Sequence, residues 1–293
     1  WAQTGILEFL KNMTRQGKAQ IIIATHSLAM LERCKPEEVY SLMKDTPAWL
    51  IGDKEHFSVR SGLDKVETSI LANLEKTPLV LYVEGTSDIE MLRLLARNLR
   101  KDESLFDRLP IHVLGGRDPK EAREHLLGIK GFRPETKAVC VLDPDLDPKT
   151  LDKEIKHYEE TGLAYYVWKR RHLESYLLVP EAISRSIYGE APLFESGMVD
   201  NFRKFLAEPP RAVIFPESVK DYGVLHLDWM TTFDAKRQVF SPSEADSSFI
   251  VQEGHPEITP QHIAMVIRYD EIHNDIKELI NLIYDMSEAC VSE

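Results

Sequence analysis

Pro78-Leu-Val-Leu-Tyr-Val-Glu-Gly-Thr-Ser-Asp88 decides how the chain reads. The apolar run from Leu79 to Val83 reads as a buried strand, and it ends abruptly at Glu84, a side chain that is costly to bury without a partner. Gly85 allows a tight turn. Ser87, with Glu90 three residues on, has capping-box spacing, so a helix is expected to start here with Asp88 in its first turn. Two carboxylates thus converge at the carboxyl end of one strand.

Three later runs end in the same way. Ile111-His-Val-Leu114 leads into Gly115-Gly116-Arg117, Ala138-Val-Cys-Val-Leu142 into Asp143-Pro-Asp145, and Ala164-Tyr-Tyr-Val-Trp168 into Lys169-Arg-Arg-His-Leu-Glu174. Helices between them are announced by Asp118-Pro119 and Asp147-Pro148, each an Asp N-cap with Pro at the first helical position. Strands spaced by helices imply right-handed crossovers and a parallel sheet, so the expected fold is α/β and Rossmann-like. Ligands of such sheets bind outside the carboxyl ends of the strands, where this chain keeps its acids.

Working outward, residues 1–18 have helical spacing and lead to a strand, Gln20-Ile-Ile-Ile-Ala24, followed by Thr25-His26-Ser27. Tyr40-Ser-Leu-Met and Ala48-Trp-Leu-Ile are compatible with two closing strands, and residues 63–77 with a linker helix. Past residue 180 the texture becomes helical, at 181–206 and 259–288, as expected of a C-terminal or inserted helical subdomain. Residues 224–240 are expected to return to the sheet side.

The 293 residues suffice for one large or two ordinary domains, and a formal charge of −12 argues against DNA binding by overall attraction, leaving a local basic track or metal-assisted binding open. Cys34, Cys140 and Cys290 are odd in number and scattered, which suggests neither a disulfide framework nor a zinc ribbon. No apolar run approaches the roughly 20 residues that span a bilayer and no signal peptide opens the chain, so a cytoplasmic protein without membrane contact is expected. The start at Trp1, inside a helical pattern, reads as a fragment of a longer protein.

The chemistry lies in Glu84, Asp88, Asp143, Asp145 and Glu174. Five carboxylates brought together persist only by taking up protons or cations, and hard divalent ions such as Mg²⁺ or Mn²⁺ accept oxygen ligands. Two such ions suit phosphodiester hydrolysis. Other readings stand beside this one. Glu84 and Asp88 could serve only as a helix-end arrangement, and Glu174 could pair with Arg170 or Arg171 on a solvated face. Gly115-Gly116 could be a simple turn or could let backbone amides approach a phosphate. A basic track runs through Arg117, Lys120, Lys169, Arg170, Arg171 and Lys236.

Glu-Gly-x-x-Asp after the first strand, Asp-x-Asp after a later one and a helix-starting Glu after the next resemble a TOPRIM domain over residues 78–180. Thr25-His26-Ser27 resembles the switch-histidine segment of ABC-type ATPases, so residues 1–62 resemble the tail of an ATPase whose core is not in this chain; no G-x-x-x-x-G-K-S/T loop occurs. Together these resemble the C-terminal region of an OLD (overcoming lysogenization defect) family nuclease, in the class found with a UvrD-like helicase, as in Gabija systems. The resemblance implies a DNA endonuclease using two Mg²⁺ or Mn²⁺ ions, ATP acting only in the full-length protein, and phage defence. It implies metal ligation by Glu84, Asp88, Asp143, Asp145 and Glu174, and a basic residue matched by Lys236, with Arg237 as substitute and Ala235 where the family has Gly. Homo-oligomerisation through the full-length protein stays open. A non-catalytic, ATPase-coupled DNA-binding or assembly module with a structural metal is the contrasting expectation. A primase-like or topoisomerase-like TOPRIM enzyme is a further one.

Overall fold

The computed structural model describes residues 2–17, 19–25, 27–41, 48–49, 70, 73–74, 77–100, 104–114, 119–131, 133–144, 161–190, 195–207, 233–240, 249–252, 254–255 and 257–292. His26, Gly115, Gly116, Arg117, Asp145, the helix expected after Asp147 and the run Val224–Leu227 lie outside them. The strands in chain order are β1 (Tyr40–Ser41), β2 (Ala48–Trp49), β3 (Leu79–Val83), β4 (Ile111–Val113), β5 (Lys137–Leu142) and β6 (Leu163–Val167). β1 and β2 form an antiparallel pair. The other four make a sheet in the order β4-β3-β5-β6, parallel at every pairing, so the chain is α/β with a Rossmann-like centre.

The alternation of the strands explains why both faces are covered. Leu79, Leu81, Val83, Val139 and Val141 belong to one apolar cluster, whereas Val80, Tyr82, Ala138, Cys140 and Leu142 belong to another on the opposite face. A parallel sheet buried on both sides needs such continuous apolar strands. The second face is closed by helix Pro119–Lys130 through Ala122, Leu126 and Ile129, together with Ile70 and Leu74 from the expected linker helix. Its polar feature is Tyr82, fully buried, with its hydroxyl 2.8 Å from His125 Nδ1; His112 stacks on His125.

The first face is closed by helix Thr86–Arg100 and by the C-terminal helices. The latter do not build a separate core: Ile263, Ile276, Leu279, Ile280 and Ile283 are in the same cluster as Leu79 and Val139. The helical stretch expected over 259–288 is two helices, Pro260–Val266 and Asn274–Ser292. Asn98 of helix Thr86–Arg100 holds the end of the first, its amide donating to the carbonyls of Ala264 and Ile267, each at 2.9 Å. Buried Arg185 pairs with partly buried Glu271 beside this break.

Two local expectations are corrected. Gln20–Ala24 is in neither strand nor helix; among the described residues it has no ladder partner, and Ile22 is 92 % exposed. An isolated apolar run has no backbone partners to hold it as a strand. Helix Thr86–Arg100 is capped by Asp88, whose Oδ2 accepts the Gly85 N–H at 3.0 Å, and not by a Ser87/Glu90 box. No helix among the described residues is long and apolar enough to cross a membrane.

Candidate active site

The strand order creates the crevice. From β3 the chain crosses to β4 on one side and then to β5 on the other, so the connections diverge between β3 and β5. A crevice opens outside the carboxyl ends at such a switch point. Tyr82 pairs with Cys140, so Glu84 and Asp143 leave the sheet at neighbouring positions. The Asp143 N–H donates to Glu84 Oε1 at 2.8 Å, tying the two strand ends together.

Glu84, Asp88, Asp143, His172, Glu174 and Lys236 line a cleft of about 250 Å³. Glu174 is not on a solvated face. It is 2 % exposed, within the 3₁₀ turn Leu173–Leu177, and its Oε1 is 3.1 Å from Lys236 Nζ. Neither Arg170 nor Arg171 is its ion-pair partner: Arg170 lies over the Tyr176 ring and donates to the Ser175 carbonyl, and Arg171 faces Asp234 at 3.6 Å.

Lys236 reaches the cleft from a short helix, Ala235–Gln238, within the stretch expected over 224–240 to return to the sheet side. Asp234 caps it by accepting the Arg237 N–H at 3.1 Å, and buried Phe233, Ala235, Val239 and Phe240 anchor it to the main core. The small Ala235 side chain is fully buried there. Arg237 is exposed.

The electrostatics follow from crowding. Asp88 is pushed up to about 6 by its burial, by Glu174 and by Asp143, although its bond from Gly85 and the charge of Lys236 act in the other direction. Burial alone would lower Lys236, but the acids around it, Glu174 first, hold its ammonium above the ordinary value. Among the described residues lining the cleft, four carboxylates face one lysine. Among the described residues no group of three or more His, Cys, Asp or Glu side chains is drawn together closely enough to hold a metal ion.

Three participants escaped sequence reasoning. His172 Nδ1 lies 2.9 Å from Asp143 Oδ2, and its Nε2 lies 3.8 Å from Asp234 Oδ1. His172 stands two residues before Glu174, inside the run that leads to it, and Asp234 stands two residues before Lys236; that adjacency was the available signal. Asp275, which binds Lys169, carries no local signal. Lys169 is therefore held in an ion pair with Asp275, and Lys120 is exposed on helix Pro119–Lys130.

No family model, curated protein or solved structure matches this chain.

Proposed function

We propose that residues 78–180 are the TOPRIM-type core of an OLD-family nuclease, and that the chain cleaves DNA phosphodiester bonds with two Mg²⁺ or Mn²⁺ ions. The observation that carries this reading is the convergence of Glu84, Asp88, Asp143 and Glu174, with Lys236, on one cleft at a strand-order switch. The donors are carboxylate oxygens, which suit hard divalent ions, and Asp88, raised first by burial and then by Glu174, is a carboxylate whose charge a cation would stabilise. In the family's pattern Asp145 completes the set.

Bound there, the ions would supply the charge that activates water and steadies the leaving 3′ oxygen. The chain's own residues do the rest. Glu84 holds the Asp143 backbone, His172 orients the Asp143 carboxylate, and Lys236 brings an ammonium toward charge developing on the scissile phosphate. Gly115, Gly116, Arg117, Arg170 and Arg171 are proposed to flank the DNA path. ATP control by an ATPase core, a UvrD-like helicase partner and a role in phage defence belong to the same reading.

Supercoiled-plasmid cleavage with Mg²⁺, Mn²⁺, Ca²⁺ or EDTA tests it, beside Asp143→Ala and Glu84→Ala proteins whose folding is checked by circular dichroism. Nicked or linear product that needs both metal and Asp143 is the expected result. A folded protein that binds DNA but yields no product with any metal would favour the second reading, a non-catalytic DNA-binding or assembly module. The Lys236–Glu174 ion pair gives that reading its support, because it already occupies one would-be ligand.

A further inference from the structure

The loop from Trp168 to Leu177 brings both His172 and Glu174 to the cleft, and its shape is set from outside the cleft. Trp168 extends the β6 ladder by donating its N–H to the Leu142 carbonyl at 3.0 Å and is 4 % exposed. The chain then reverses around one atom, the Tyr176 hydroxyl. That oxygen accepts the N–H of Lys169 at 3.1 Å and of Arg170 at 3.0 Å, and it donates to Asp275 Oδ2 at 2.9 Å. A phenol has one proton and two lone pairs, so all three positions are used.

Asp275 stands in the first turn of helix Asn274–Ser292, about a hundred residues from the loop, and is 3 % exposed. Its other oxygen takes Lys169 Nζ at 2.8 Å, and its carbonyl accepts the Tyr166 hydroxyl of β6 at 2.6 Å. It therefore touches the strand before the loop, the start of the loop and, through Tyr176, its far end. Nothing in this set touches the cleft directly.

We propose that Asp275 and Tyr176 are positioning residues for the cleft: Asp275 fixes the single Tyr176 hydroxyl proton, and that hydroxyl holds the 168–177 loop so that Glu174 faces Lys236 and His172 faces Asp143. The proposal rests on the nuclease reading of the cleft. It assigns the C-terminal helix a part in the reaction and separates Lys169 from the DNA-binding track.

The test uses Asp275→Asn, Tyr176→Phe and the more conservative Lys169→Gln, whose parent side chain is 69 % exposed, with the folding of each variant checked by circular dichroism. Plasmid nicking is followed at varied DNA and Mn²⁺ concentrations, and amide hydrogen exchange at Lys169 and Arg170 is read in parallel. Loosening of a reacting centre by a fraction of an ångström to an ångström costs on the order of tenfold to hundredfold in rate. The expected result is a loss of that size in kcat for Asp275→Asn and Tyr176→Phe, with KM for DNA little changed, more Mn²⁺ needed for half-maximal rate and faster exchange at the two amides. For Lys169→Gln a smaller kcat loss supports the proposal, whereas a rise in KM alone would return Lys169 to the DNA path and overturn its part here. Folded variants with the parental kcat and the parental exchange overturn the positioning role itself. A folded wild-type protein that cleaves nothing sinks the nuclease reading and the catalytic half of this proposal together, and is told apart because no variant is needed to see it.

Discussion

Asp88 makes the metal-free protein less stable at neutral pH, and replacing it should show by how much. A carboxyl that titrates near 3.8 in an unfolded chain titrates at about 6 in this cleft. The folded chain therefore binds this proton more tightly than the unfolded one. Below about pH 4 both states hold it and the acid costs folding nothing; between about pH 4 and 6 the unfolded chain has given up the proton that the folded chain still keeps, so stability falls across that window and levels off once both states are ionised above about pH 6. A separation of about two pH units at about 1.4 kcal/mol each sets an upper limit of about 3 kcal/mol. Solvent in the open cleft reduces this to about 1–2 kcal/mol. Asp88→Asn removes the charge and keeps an oxygen that can accept the Gly85 N–H. Urea unfolding in EDTA should find the variant more stable than wild type by about 1–2 kcal/mol at pH 7.5, with the gap closing toward pH 4. In millimolar Mg²⁺ the order should narrow or reverse, because a ligand that binds only the native state stabilises it and the variant lacks one donor. A variant no more stable than wild type at pH 7.5, or a gap that does not shrink with acid, would refute the electrostatic account of the cleft.

Two other substitutions probe the remaining layers. Lys236→Met should lower kcat by about 10²–10³ in the plasmid assay, the usual effect of removing one group that stabilises developing charge, and chemical denaturation should show a loss of about 1–2 kcal/mol, below that of a fully buried pair because the Lys236 side chain is 55 % exposed. Tyr82→Phe, on the opposite face of the sheet, should cost about 1–3 kcal/mol in urea by leaving His125 without its buried hydroxyl partner, and should leave plasmid cleavage unchanged once the fold is saved at lower temperature.

The sheet was legible because each strand is a short apolar run ending in a residue that cannot continue it. Leu79–Val83 stopping at Glu84 and Lys137–Leu142 stopping at Asp143 are such cases. Glu84, Asp88 and Asp143 could be placed because they directly follow or nearly follow those stops. Glu174 was legible as a cleft residue but not as a buried one: Arg170 and Arg171 are nearer in sequence than Lys236, yet the tertiary fold supplies the partner from sixty residues away. The helix at 235–238 was hidden because a single turn is too short to show a periodic pattern, and Asp234 at its start is its one local signal, as the cap. Gln20–Ala24 shows the converse error, an apolar run whose pattern requires a sheet that is not among the described residues.

Strand order lies beyond hydrophobic patterning, and here strand order makes the site. Had β4 been placed between β3 and β5, the same acids would sit at the same strand ends, yet the Asp143 N–H could not reach Glu84 across an intervening strand. Strands lie about 4.8 Å apart, so one extra strand would double the separation of the two ends. What moves β4 to the edge is its composition. Ile111, His112 and Val113 are each only partly buried, and His112, with Glu121 3.7 Å from its ring, tolerates an edge better than the fully buried runs Leu79–Val83 and Val139–Cys140 would. The two most apolar strands take the centre because burial on both faces and both sides is available only there, and their polar terminators are thereby forced side by side. The close approach of Glu84 and Asp143 is thus a by-product of which strands the core selects, and the charge it concentrates is what the cleft must neutralise.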